Sequence, residues 1–513
     1  MSEASQHKQD VPNYRALEDR FRRLSAVDDA RAMLQWDLAV VMPSGGAAAR
    51  AEQLAVLSVI SHQMLTDPAL NDLLNEAQTS ETSRLSDWQA ANLFEMQRLY
   101  TNAVAVPADL VEALSQACSA SEMAWREARP KADFAHLRPY MEQVLALTRE
   151  AAAAKAERLG LSLYDALLNQ YEPGGSARKI DVIFDDLAAF LPGFIEQVLE
   201  YQARRPEPRR PVGPFPTVTQ KNLAQQLIQK IGFNFNHGRL DISLHPFSSG
   251  VPSDVRITTR YDEADFMGAL MGVFHETGHA MYERQRPPAW QGQPVGQARG
   301  MAMHESQSLL MEMQACRSRA FLTWLAPQLA GSFSVPADKP GVWEADNIYR
   351  LYTQVKRSFI RVEADEVTYP AHVILRYRLE RALIEGTLAV ADLPEAWNEE
   401  MKKLLGIVPP DDRVGCLQDI HWPDGAFGYF PTYTLGALAA AQFFDAATTQ
   451  IPEIIPGLAQ GNFVPLLSWL KKNIHSWGSR LSADEILTKA TGQPLRPEVF
   501  KRHLARRYLE QAD

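Results

Sequence analysis

The chain has 513 residues, 46% hydrophobic and 22% charged, with 52 Lys plus Arg against 62 Asp plus Glu for a formal net charge of −10. These values exclude a disordered or fibrous chain and allow a core that needs no disulfide staples. The acidic balance argues against a nucleic-acid partner, which would call for a basic face.

Length alone allows about two to four domains, or one large core with appended helices. Residues 1–13, MSEASQHKQDVPN, are polar and lack the apolar centre of a signal peptide; they read as a disordered tail. No run of about 18 apolar residues occurs, so no membrane span is expected. Cys118, Cys316 and Cys416 lie far apart and odd in number. Neither a disulfide framework nor a thiolate zinc site fits that pattern, and a reducing cytoplasm does.

Apolar residues at spacings of three and four, among good helix formers, predict helices over 14–34, 86–102, 107–127, 134–158 and 179–203. Residues 204–216, RRPEPRRPVGPFP, contain five prolines and cannot continue a helix. They read as a linker between a helical part (14–203) and a catalytic part (217–513) of one unit, or as a surface loop inside it. A helix should restart after Thr219 as N-cap. Residues 238–261 carry two alternating, β-branched segments around a Ser/Gly/Pro turn and read as an antiparallel hairpin. A long amphipathic helix should follow, with Asp262 as N-cap and Asp265 in its first turn. Pro287 and Pro288 stop it. The apolar stretch Thr434–Phe444 is too short to span a membrane and reads as core. Ser482 and Glu485 have capping-box spacing before Ile486 and Leu487.

The helix after the hairpin contains His275-Glu276-Thr277-Gly278-His279, an HExxH motif. Positions i and i+4 share one helical face, so both imidazoles can reach one metal ion, with Glu276 placed to take a proton from water. Zinc suits two imidazoles with an open position. His279 is followed by AMYERQ, which excludes the metzincin form. The third ligand must then come from a later helix, where Glu305 in His304-Glu305-Ser306 is favoured by spacing and Glu312 is the second choice. A donor for a developing oxyanion should be His or Tyr. Gly415 to Trp422, continuing to Tyr429 and Tyr433, concentrates such groups; a packed aromatic loop is the alternative. A cation for a peptide's terminal carboxylate could be Arg256, Arg361 or Arg376, each of which could instead form a structural ion pair.

Several ordered blocks resemble the M32 metallocarboxypeptidases, the Taq-type thermostable carboxypeptidases. They are His245-Pro246-Phe247, Asp254-Val255-Arg256-Ile257-Thr258, His275 to His279, His304-Glu305-Ser306, Ile360 to Tyr369 (IRVEADEVTY) and Gly415 to Trp422 (GCLQDIHW). Trp36-Asp37 with Met42-Pro43, and Trp469 to Gly492, extend the likeness from about residue 29 to the end. One departure is LLMEM after the HES block, where the family often has LLWEN.

The resemblance implies a mainly α-helical, gluzincin-type fold with a deep groove and a small antiparallel sheet beside the HExxH helix. It implies zinc, or cobalt or manganese in its place, on His275, His279 and Glu305, with Glu276 as general base. It implies release of C-terminal residues from peptides with broad specificity, poor on C-terminal proline, by a cytoplasmic homodimer with no nucleic-acid or membrane partner. His421 and Tyr433 would meet the scissile carbonyl, and Arg256, Arg361 and His245 the substrate. Two other readings stand beside it: an endo-acting oligopeptidase of the same helical group, and a non-catalytic scaffold with a vestigial metal site.

Overall fold

A computed structural model describes residues 11–511. The expected tail of 1–13 falls mostly outside these residues. Of its last three, Val11 is buried, and Pro12 and Asn13 already belong to a helix.

The fold is helical with one small sheet. The five helices expected before the linker are Pro12–Val40, Asp87–Val104, Ala108–Lys131, Phe134–Leu159 and Ala177–Ala203. Four lie within a few residues of their expected ranges and the first runs on to Val40, past its expected end at 34, as apolar spacing marks a helix better than its ends. After the proline-rich stretch a helix restarts at Thr217, two residues before the expected Thr219 cap, with Pro216 at the cap position. Prolines fix φ near the helical value and suit a helix start.

Three apolar clusters hold the described residues together. One gathers the first helices around Tyr14, Leu17, Leu74 and Met96. A second packs Phe184 and Leu187, before the linker, against Tyr377 and Trp397, after it. A third surrounds the helix Phe266–Gln285 with Ile228, Phe321 and Phe443. The Thr434–Phe444 stretch lies in the helix Pro431–Gln450, most of it buried.

The sheet differs from a simple hairpin. Its strands are β1 (Gly238–Ile242), β2 (Ser248–Val251) and β3 (Asp254–Thr259), in the order β1-β3-β2. The two segments expected to pair antiparallel, β1 and β3, are parallel neighbours, Leu240 opposite Ile257. The antiparallel partner of β3 is β2, which occupies part of the stretch read as a turn. Residues 243–247 carry the chain past the central position, where Thr258 Oγ1 bonds both Ser243 Oγ at 2.7 Å and the Phe247 N–H at 3.0 Å. Only Pro252-Ser253 forms the tight turn that lets β3 return between the other two.

The helix Phe266–Gln285 follows the sheet. Its N-cap is Asp265, which accepts from the Met267 N–H at 2.9 Å, while Asp262 caps the preceding turn at Ala264. The Thr259 hydroxyl donates to the Ala269 carbonyl at 3.3 Å, fastening β3 to this helix. The helix Gly300–Leu309 runs into a π-helix, Leu310–Cys316. The Ser482/Glu485 capping box is formed. Among the described residues no helix is long and apolar enough to cross a membrane.

Candidate metal centre and active site

His275 and His279 lie one turn apart on the Phe266–Gln285 helix, their rings 5.0 Å apart and nearly perpendicular. Glu305, on the Gly300–Leu309 helix, brings Oε2 to 3.6 Å from His279 Nε2 and 3.9 Å from His275 Nε2. One ligand atom from each residue lies within 4.8 Å of the others, the one such group of His, Cys, Asp or Glu among the described residues. Two glycines permit this closeness. A Cβ on Gly278 would sit 2.4 Å from the Gln307 carbonyl oxygen and 2.6 Å from Ser308 Cα. A Cβ on Gly436 would sit 2.8 Å from Glu305 Cβ. The segment bearing Glu305 is thus pressed between two helices, each touching it through a residue without a side chain.

The other nitrogen of each imidazole has a partner. His275 Nδ1 lies 2.9 Å from Glu312 Oε2, and Arg317 donates to Glu312 Oε1 at 2.6 Å. Glu312, the second choice for a ligand, therefore meets the far side of the ring. Burial pushes its carboxyl up, but Arg317 and His275 outweigh burial and hold it below its usual range. His279 Nδ1 lies 2.6 Å from His304 Nδ1, and His304 Nε2 lies 2.9 Å from Glu283 Oε1, itself paired with Arg286 at 2.8 Å. With both Nδ1 atoms engaged, each Nε2 is left for a metal, and the partners orient the rings. Two imidazole nitrogens and one carboxylate oxygen form the donor set zinc takes in open sites. Glu276 is buried beside them, and burial pushes its carboxyl up to about 7 against the pull of His275.

A second group forms around the Gly415–Trp422 block. His421 Nε2 lies 3.4 Å from the Tyr433 hydroxyl. Burial lowers the His421 pKa to about 4, so its ring is neutral near pH 7. Tyr433 lies one turn before Gly436 and so opens the helix that touches Glu305. The Arg361 guanidinium lies 5.0 Å from the Tyr433 ring centre and donates to the Tyr369 hydroxyl at 2.9 Å. Arg361 and the fully buried Arg376 share one carboxylate, Asp419, at 2.9 and 2.6 Å. Burial pushes Asp419 up, but Arg376 and then Arg361 outweigh it and hold it well below the carboxylate range. Arg376 is thus a structural ion-pair member, while Arg361 reaches from the same pair toward the aromatic wall.

Arg256 and His245 stand apart. Arg256 pairs with Asp254 at 2.6 Å and lies 4.3 Å over the Trp36 ring. His245 is exposed between β1 and β2, and its carbonyl accepts from Ser243 Oγ. Neither makes a hydrogen bond, ion pair or ring contact with the metal-ligand cluster. Sequence reasoning missed His304, Glu283 and Asp419 as functional neighbours. Two signals were available: His304 adjoins Glu305, and Glu283 lies four residues after His279, on the same helical face.

Residues 16–508 match the family model described as carboxypeptidase Taq (M32) metallopeptidase. The chain is similar to Thermostable carboxypeptidase 1 of Thermus thermophilus, 38% identical over 505 residues, covering 96% of this chain and 98% of that one. It is 34% identical to Carboxypeptidase 1 of Bacillus subtilis, covering 96% and 97%. Among solved structures it resembles Trypanosoma cruzi metallocarboxypeptidase 1, with TM-score 0.94 and 38% identity over 97% of this chain and 99% of that one. The M32 carboxypeptidase from Deinococcus radiodurans gives TM-score 0.92 and 34% identity over 97% and 99%.

Proposed function

This chain belongs to the carboxypeptidase Taq (M32) metallopeptidase family and is a metallocarboxypeptidase; we propose that its metal is zinc, held by His275, His279 and Glu305, and that Glu276 is its general base. The observation that carries this reading is the convergence of those three ligands within 4.8 Å, from two helices packed through Gly278. Cobalt or manganese would accept the same donors less selectively.

When bound, the metal supplies Lewis acidity to the attacking water and the peptide carbonyl. Glu276 takes the water's proton during attack and delivers it to the leaving amine. His421 and Tyr433 donate hydrogen bonds to the carbonyl oxygen as charge develops there. The neutral His421 ring suits this, because it keeps one N–H to give.

Arg361 is the leading partner for the substrate's terminal carboxylate. Two arginines share one aspartate, so the pocket holds one positive charge in excess. Arg256, already paired with Asp254, and the exposed His245 would meet the substrate farther from the metal. Side-chain specificity would be broad. Release of C-terminal proline would be poor, since its nitrogen carries no N–H at the scissile bond. A cytoplasmic homodimer completes the proposal; three free cysteines suit a reducing compartment.

The test is metal content by elemental analysis together with mass spectrometry of products from an N-terminally blocked peptide. Stoichiometric zinc and a ladder losing one C-terminal residue at a time are expected. A protein without zinc, or one releasing internal fragments, would overturn the reading.

A further inference from the structure

Outside the metal centre, the most unusual buried group is Glu380. It lies in the helix Tyr369–Glu385 with no exposure to solvent. Its carboxylate accepts from the Tyr164 hydroxyl and from Trp422 Nε1 at 3.1 Å, and more weakly from the Gly428 backbone N–H that faces it. All three donors are neutral. The adjacent Arg381 is turned away, onto Asp181 and Glu385. Burying a carboxylate without a cation is costly, and here burial pushes the carboxyl up to about 7 against its three donors. A residue kept at such cost invites a functional explanation.

The positions of the donors supply one. Trp422 directly follows His421. Gly428 lies five residues before Tyr433. Glu380 therefore grips both ends of the loop tip that separates the two groups. The tip is closely packed: Gly428 has φ +88°, and a Cβ there would come within 2.8 Å of the Leu168 nitrogen. The Trp422 ring is stacked on Phe427, 6.2 Å between centres, and set edge-on to Trp397. Tyr164, on the helix Leu163–Tyr171, holds the carboxylate's other oxygen, Oε1, while Trp422 holds Oε2.

We propose that Glu380 is a positioning residue of the peptidase, fixing Trp422 and Gly428 so that His421 and Tyr433 meet the scissile carbonyl at the correct distance. It rests on the reading of His421 and Tyr433 as oxyanion donors. An amide at position 380 would turn an NH2 toward one of the donors, and the loop tip would slide away from it. Small displacements at a reacting carbonyl are expensive, so kcat should fall by about tenfold or more. KM and metal content should stay within about twofold, because neither the ligands nor the substrate carboxylate site is touched.

The experiment measures kcat, KM and zinc content for Glu380→Gln, Trp422→Phe, Tyr433→Phe and His421→Ala at a pH of about 8, where the carboxylate is ionised. Trp422→Phe removes one donor and keeps the carboxylate, so it carries the test if Glu380→Gln fails to fold. The double variant Glu380→Gln/Tyr433→Phe completes a cycle. The expected result is a selective kcat loss for Glu380→Gln and Trp422→Phe, with the Glu380→Gln loss reduced, but not abolished, when Tyr433 is already absent. Unchanged kcat in both single variants overturns the proposal, and so does a loss that persists in full without Tyr433. If His421→Ala and Tyr433→Phe themselves keep full turnover, the oxyanion reading fails instead, and the proposal falls with it.

Discussion

Replacing Gly278 by alanine puts the packing of the metal centre to a direct test. In an unobstructed helix this change stabilises by about 1 kcal/mol. Here the new methyl would sit 2.4 Å from the Gln307 carbonyl oxygen and 2.6 Å from Ser308 Cα, where ordinary contact begins at 3.4 Å. Both obstacles are backbone, so no side chain can rotate away. The two helices must part by about 1 Å, and overpacking of this kind costs about 1–3 kcal/mol. The sign of the substitution is thus inverted. The same separation draws Glu305 away from His275 and His279, whereas metal–ligand distances tolerate only about 0.2 Å. Metal affinity should fall by at least the roughly 10–100-fold seen when supporting residues are lost. Chelator competition measures the affinity, and urea unfolding of the metal-free protein measures the packing cost. Gly268→Ala is the internal control: it lies on the same helix with nothing within 4 Å of its Cβ. It should stabilise slightly and leave metal binding alone. Wild-type affinity and undiminished apo stability in Gly278→Ala would refute the reasoning.

Glu276→Gln should retain zinc and lose about 10²–10⁴-fold in kcat, the usual share of general acid–base catalysis; full turnover would remove the base assignment. Glu312→Gln should weaken metal binding by about 10–100-fold by loosening His275, read by chelator competition. Asp419→Asn leaves Arg376 buried without its countercharge and should destabilise by about 3–5 kcal/mol in urea melts near neutral pH. The folded pKa of Asp419 is depressed, so its stabilisation is present above the unfolded carboxylate value and lost as pH falls. The gap between wild type and variant should therefore narrow below about pH 4; a gap that widens on acidification contradicts the sign. Exhaustive chelation should abolish peptide release, and zinc should restore it, by the same mass-spectrometric assay.

What the sequence disclosed follows the range of the interactions. HExxH is readable because its two histidines lie one turn apart on one helix, and the 482–485 capping box is readable for the same reason. Arg256 could have been assigned its partner too, since Asp254 is two residues away on the same strand face. The division of labour between Glu305 and Glu312 was only half readable: spacing favoured Glu305 as the third ligand but gave Glu312 no role of its own. Both lie on one continuous helical segment, and a change to π-helical winding decides which nitrogen each carboxylate meets. The parallel pairing of β1 and β3 escaped because strand alternation records burial and not direction. The sharing of Asp419 by Arg361 and Arg376 joins residues 43 and 58 positions apart, beyond any local pattern. The Asp265 cap was displaced by one turn because Asp262 and Asp265 carry the same chemistry, and only the path of the backbone chooses between them.

The π-helix at Leu310–Cys316 bears on how this gene can vary. A π-turn holds one residue more than the α-turn it replaces. Deleting a single residue there would let the turn close to ordinary winding with the chain beyond it kept in phase, whereas inserting one would turn everything beyond the insertion by about 100°. Glu305 lies upstream and would keep its place. An insertion before Glu312 would swing Glu312 and Arg317 off His275 together. Point substitutions along 310–316 can be absorbed by repacking, but a gained codon cannot. In-frame insertions should therefore be far less tolerated in this turn than in the surface connections around it.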